Sequence, residues 1–177
     1  QLADKEQEQA FVLLIEQAQQ FQDSYSDHAQ GYIWHGIIKS SFAGAKGGIG
    51  ALSLAKEAKV LLETAIRIDP NALEGSAYTS LGTLYSKVPG WPLGFGDDKK
   101  AEDLLKKALQ INPKGIDPNY FYGQYLYDDK QYPEAKTYLE IAQNAAPRLQ
   151  RPLADQYRQH EIAALLDKVD KKLKKKQ

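Results

Sequence analysis

The sequence predicts an all-α fold, a superhelix of three helix pairs with a capping helix at each end. Three observations predict it. Three segments close alike: A-K-V-L-L-E-T-A-I-R-I-D-P at Pro70, A-E-D-L-L-K-K-A-L-Q-I-N-P at Pro113 and A-K-T-Y-L-E-I-A-Q-N-A-A-P at Pro147. In each, alanines stand 12 and five residues before the proline (Ala58 and Ala65, Ala101 and Ala108, Ala135 and Ala142), with Leu62, Leu105 or Leu139 between them. The last two prolines are 34 residues apart, a spacing found in stacked helix pairs. Small residues let helices approach closely, and proline stops a helix because it cannot continue the hydrogen-bond ladder.

The elements follow in order. Residues 3 to 22 read as an amphipathic capping helix with Phe11, Leu14, Ile15, Ala18 and Phe21 inward. Repeat units are expected at about 29 to 70, 72 to 113 and 116 to 147. In the first unit, A-G-A-K-G-G-I-G at 43 to 50 reads as an enlarged turn. The first helix of the second unit carries Tyr78, Leu81, Gly82 and Tyr85, which match Asn119, Tyr122, Gly123 and Leu126 of the third. A glycine inside a helix costs propensity, so a close helix crossing is expected at both. Gly82 lies 19 residues before Ala101, whereas Gly123 lies 12 before Ala135, so P-G-W-P-L-G-F-G lies in a turn lengthened by seven residues. Asp97 or Asp98 then caps the next helix. Insertions at one repeat position map to one face, so both enlarged turns should project from the same edge. A second capping helix, 152 to 173, begins with Pro152 and aligns Tyr157, Ile162, Leu165, Leu166 and Val169. The closing K-K-L-K-K-K-Q reads as a frayed end.

These recurring positions resemble the tetratricopeptide-repeat family, with three units over about residues 29 to 147. The resemblance implies a TPR-like superhelix that binds protein or peptide partners. The combination P-G-W-P-L-G-F-G-D-D-K-K-A with I-N-P-K-G-I-D-P-N-Y-F-Y-G is similar to a group of small exported bacterial proteins. They are similar in turn to the T component of tripartite periplasmic transporters, a helical-repeat lipoprotein that associates with a substrate-binding protein. That likeness implies export and a possible periplasmic substrate-binding protein as partner. It departs in two respects: no lipobox cysteine is present, and the chain is shorter than a T component.

Composition narrows the function classes. Lysine plus arginine and aspartate plus glutamate are equal at 23 each, so no basic excess suits a nucleic acid. There is no cysteine, which removes disulfides, thiolate metal sites and a cysteine nucleophile. The chain does not start with methionine, so the expectation is that a signal peptide was cleaved or the sequence trimmed. No apolar run approaches the roughly 18 residues of a membrane helix.

No constellation reads as catalytic. The loop G-W-P-L-G-F-G lacks the lysine and serine or threonine of a phosphate cradle, and Asp97 and Asp98 would repel phosphate there. Trp91 and Phe95 are expected to fold back and cover the end of the helix pair; the alternative is contact with a ligand or partner. His28, His35 and His160 lack metal-site spacing and read as surface or groove histidines. Ser40 and Ser41 lack a nucleophile turn and a base. Asp97–Asp98 and Asp128–Asp129 sit at turns as caps. No cofactor or metal is implied.

A binding face is legible instead. By the repeat register, Tyr32, His35 and Lys39, then Ser76, Thr79 and Thr83, then Tyr120, Gln124 and Tyr127 line the concave groove. Tyrosine supplies contact area at low entropic cost. Two readings stay open for Tyr120 and Tyr127: groove contact, or burial beneath the C-terminal helix. The sequence therefore points to a non-enzymatic protein-interaction module, exported to the periplasm. The rival is a T-component-like accessory protein that binds a small ligand or a substrate-binding protein, which needs an apolar pocket or pore.

Overall fold

A computed structural model of the protein describes residues 4–175. Ala3, where the first capping helix was expected to start, and Lys176 and Gln177 lie outside them. The described residues form eight helices: α1 Asp4–Ser24, α2 Ala29–Lys46, α3 Gly48–Ile68, α4 Ala72–Lys87, α5 Asp98–Ile111, α6 Ile116–Asp128, α7 Tyr132–Gln143 and α8 Pro152–Lys174. They fall into two compact units divided between Ala101 and Glu102.

The N-terminal unit packs α2 against α1, α3 and α4, and α3 against α4. Ala58, Leu62 and Ala65 of α3 are fully buried. A Cβ added to Gly36 of α2 would lie 2.8 Å from Leu62 Cγ and 3.4 Å from the Ala58 carbonyl oxygen, so only glycine admits this crossing. Phe11 of α1 stacks on Phe42 of α2 with ring centroids 5.1 Å apart, and Lys46 reaches back to Glu8 at 2.7 Å. Leu14 and Phe21, expected inward, are exposed instead; only Ala18 of the predicted face is fully covered. One neighbouring helix covers a narrower stripe than a full amphipathic face.

The expected enlarged turn at 43 to 50 is also absent. Helix α2 continues to Lys46 and α3 starts at Gly48, leaving Gly47 alone between them. Gly47 and Gly48 have φ of 62° and 64°, which lets the chain reverse in one residue while both helices lengthen. Helix α4 opens with Leu73, Glu74 and Gly75 at positive φ, so its right-handed part begins at Ser76.

The C-terminal unit packs α6 against α7 and α8, and α7 against α8, with Leu105 and Leu109 of α5 in the same core. Ala135, Leu139 and Ala142 are fully buried, as are Ala101, Leu105 and Ala108. The Gly123 crossing repeats the one at Gly36: a Cβ would lie 2.8 Å from Leu139 Cγ and 3.3 Å from the Ala135 carbonyl oxygen. Thus the glycine of one helix and the alanine and leucine of the next form the same contact in α2–α3 and α6–α7. Pro133 and Pro152 stand in the first turns of α7 and α8, where a missing N–H is harmless. Ile162, Leu165 and Val169 of α8 enter the core, with Leu166 partly covered, but Tyr157 points to solvent. The end expected to fray is helical to Lys174, because Leu173 packs on the core.

Candidate interaction site

The loop between α4 and α5 is fixed by its own backbone. Gly96 N–H donates to Pro89 O at 2.9 Å, and Leu93 and Gly94 N–H both donate to Gly90 O at 3.1 Å. Gly90 and Gly96 pair as an isolated bridge. A Cβ at Gly96 would fall 1.9 Å from the Val88 carbonyl oxygen, so this close return needs glycine. The Trp91–Pro92 peptide is cis. At the exit, Asp97 N–H donates to Tyr85 O at 3.2 Å, and Asp97 Oδ1 accepts from Lys100 N–H at 3.0 Å. Asp97, rather than Asp98, is therefore the N-cap of α5.

The two aromatics of the loop part company. Phe95 meets Tyr85 edge to face at 5.4 Å, with Lys59 Nζ 5.7 Å above its ring. Val88 and Phe95 pack on Ala43, Ala55, Ala58 and Leu84, together with Ala51 and Leu54. This brings the loop beside the α2–α3 turn, on one edge of the N-terminal unit. Trp91 does not cover the helix pair as expected: it is 90% exposed, and Leu93 is 73% exposed. The loop is too short to return both rings, because the bonds closing it at Pro89, Gly90 and Gly96 leave residues 91–93 as its tip.

The predicted groove residues are largely engaged within the protein. Tyr32 donates to Ser26 O at 3.1 Å. His35 is not a surface histidine: it is 1% exposed, and its Nδ1–H donates to Gln22 Oε1 at 2.8 Å. Since an amide oxygen only accepts, Nδ1 carries the proton, and the buried Nε2 has no partner. Burial holds the His35 pKa below its ordinary value, reinforced by Lys39 and opposed by Glu57 and Asp23. Lys39 pairs with Glu57 of α3. Ser76 and Thr83 bond to Leu73 O and Thr79 O, and Thr79 is buried.

In α6, Tyr120 is 6% exposed beneath α8, with the Arg158 guanidinium 4.4 Å from its ring centre and 4.5 Å from that of Phe121. Tyr127 packs on Tyr132 at 5.6 Å, and Gln124 is half-buried. Of the two readings for Tyr120, burial under the C-terminal helix holds. His28 and His160 are exposed, and among the described residues no three His, Asp or Glu side chains converge as metal ligands.

One cluster was not anticipated. Arg148 donates to Asp155 through Nε (2.8 Å) and its backbone N–H (2.6 Å) and reaches Asp117, which also accepts from Arg158 Nε at 2.9 Å. Burial pushes the Asp117 carboxyl up, but Arg158 and Arg148 outweigh it and hold it below the usual carboxylate value. Asp155 is lowered against its burial by Arg148. No spacing rule links residues 117, 148, 155 and 158, so the sequence carries no local signal for this network. Beside it lies a pocket of about 310 Å³ lined by Ile116, Ala145, Pro147, Arg148, Leu149, Pro152, Asp155, Gln156 and Gln159.

Among the described residues no helix is long and apolar enough to cross a membrane. No protein-family model matches the chain, and no curated protein matches it significantly.

Proposed function

We propose that this chain is a non-enzymatic protein-interaction module of the tetratricopeptide-repeat kind, exported to the periplasm, whose contact is the Trp91 loop edge. The recurrence of one glycine–leucine–alanine crossing in α2–α3 and α6–α7 supports the repeat reading. Export rests on the resemblance of the loop and of I-N-P-K-G-I-D-P-N-Y-F-Y-G to exported proteins. The observation that carries the contact is an exposed tryptophan on a backbone-pinned loop. Tryptophan is enriched at binding hot spots, and a pre-formed loop lowers the ordering cost of binding.

Affinity capture from cell-envelope extract tests this reading, comparing the wild-type chain with Trp91→Ala. The expected result is association lost by Trp91→Ala at unchanged folding. Equal association by both would move the contact away from the loop. A second reading, the T-component-like accessory protein, draws on the apolar pocket at Pro147–Gln159, which is where a small ligand would compete.

A further inference from the structure

The tip of the α4–α5 loop and the pocket between the end of α7 and the start of α8 are two apolar features that the fold leaves uncovered. The tip offers Trp91 and Leu93, stiffened by Pro89 and Pro92 and by the loop's own hydrogen bonds. The pocket has an apolar floor and walls (Ile116, Ala145, Pro147, Pro152), and Leu149 on its rim is 86% exposed. Next to it, Leu153 and Tyr157 stand out from α8, four residues apart on one helix face. At about 310 Å³ the pocket is at the floor of the roughly 300–1,000 Å³ range of ligand sites, a size for one large side chain.

We infer that the two features fit one another between molecules: Trp91 of one copy enters the pocket at Ile116, Pro147, Leu149 and Pro152 of a second copy. This rests on the interaction-module reading and names the partner. The indole would lie against proline and aliphatic walls, and Gln156 and Gln159 carry amide oxygens of the type that accepts its N–H. Arg148 stands in the wall, with its charge balanced by Asp117 and Asp155, so burying the ring beside it strands no charge. The charges favour a second copy over a lipid surface. At the base of the loop Lys59 is paired with Glu63 and Lys100 with Asp97, Lys46 at the end of α2 is paired with Glu8, and the whole chain has zero net charge, so anionic lipid exerts little pull while two copies do not repel. Each copy carries both a ring to give and a pocket to receive one.

Sedimentation equilibrium of the purified chain tests the inference, with Trp91→Ala as the tip variant and Leu149→Asp as the pocket variant. Both substitutions sit at exposed positions, and circular dichroism checks that each variant is folded. The wild type should show a mass above that of the monomer, rising with concentration. Each variant alone should weaken self-association at least about tenfold. Mixed together they should restore a one-to-one pair, since Leu149→Asp still has its tip and Trp91→Ala its pocket. A wild type monomeric at its highest soluble concentration would overturn the inference, as would undiminished association of Trp91→Ala or no pairing in the mixture. Trp91-dependent capture of a different protein by a monomeric chain would overturn it while leaving the interaction-module reading standing. Trp91-dependent binding to phosphatidylglycerol vesicles alone would overturn both.

Discussion

In α6 the aromatic run Tyr120–Tyr127 turns mostly onto the protein itself: Tyr120 under Arg158, Tyr122 edge to face with Tyr138 at 4.7 Å, Tyr127 on Tyr132. In the α4–α5 loop only Phe95 does so, on Tyr85, and Trp91 is left to water. Both stretches are dense in aromatics, and composition does not separate them. Their neighbours do. A helix presents its side chains at a fixed 3.6-residue period, so α7 and α8 can meet each face of α6. The insertion meets α2 and α3 on one side only, and its closing hydrogen bonds decide which ring turns inward. The aromatic cluster of α6 is thus mainly a packing feature, whereas in the insertion one of the two rings stays exposed.

Substitutions can break that contrast, beginning with the largest effect. Tyr120→Ala should destabilise the C-terminal unit by about 3–5 kcal/mol, the cost of emptying a buried aromatic site, seen as a lower midpoint in chemical denaturation. Gly123→Val should cost about 1–3 kcal/mol through overpacking against Leu139 and the Ala135 carbonyl. Ala135→Leu should fall in the same range, whereas exposed Lys106→Leu should change stability by no more than about 0.5 kcal/mol. Equal midpoints for Ala135→Leu and Lys106→Leu would place the helix crossing elsewhere.

Two pH effects sharpen the comparison between the units. His35 has a folded pKa below its unfolded value of about 6.5, so the unfolded chain binds more protons in that window. Its contribution to the N-terminal unit is therefore intact above about pH 6.5 and falls as the pH drops toward the folded pKa. One such group gives a slope of at most about 1.4 kcal/mol per pH unit. Denaturation between pH 7 and 5 should show the decline, and His35→Leu should flatten it. Asp117 and Asp155 act lower: their folded pKa values are depressed, so their contribution is present above about pH 3.9 and lost as the pH falls through the folded values. Asp117→Asn should weaken the attachment of α8 at pH 7 and matter less as the pH falls through the folded value of Asp117, as hydrogen exchange in α8 would report.

Much of the architecture was legible because it is periodic. The alanine and leucine positions before Pro70, Pro113 and Pro147 are fully buried, α3 and α5 end two residues before Pro70 and Pro113 while α7 stops earlier, at Gln143, and Asp97 marks the start of α5. What was not legible depends on tertiary register. Nothing local says that Gly47 alone reverses the chain, that α1 leaves Phe21 outside, or that Arg158 comes to rest on Tyr120. That Tyr32, His35 and Lys39 share one face of α2 was readable from their spacing, but not that His35 is closed by Gln22. In the insertion, the two aromatics looked equivalent, and the hydrogen bonds at Gly90 and Gly96 separated them.

The most direct test sets Trp91→Ala against Tyr120→Ala in thermal unfolding at dilute protein concentration. The structural account predicts that Trp91→Ala stays within about 0.5 kcal/mol of the wild type, a shift of at most about 2 °C. Tyr120→Ala should unfold at least about 6 °C lower. A Trp91→Ala midpoint depressed as far as that of Tyr120→Ala would mean that the indole is part of the folded core, and the loop would no longer be the open binding edge.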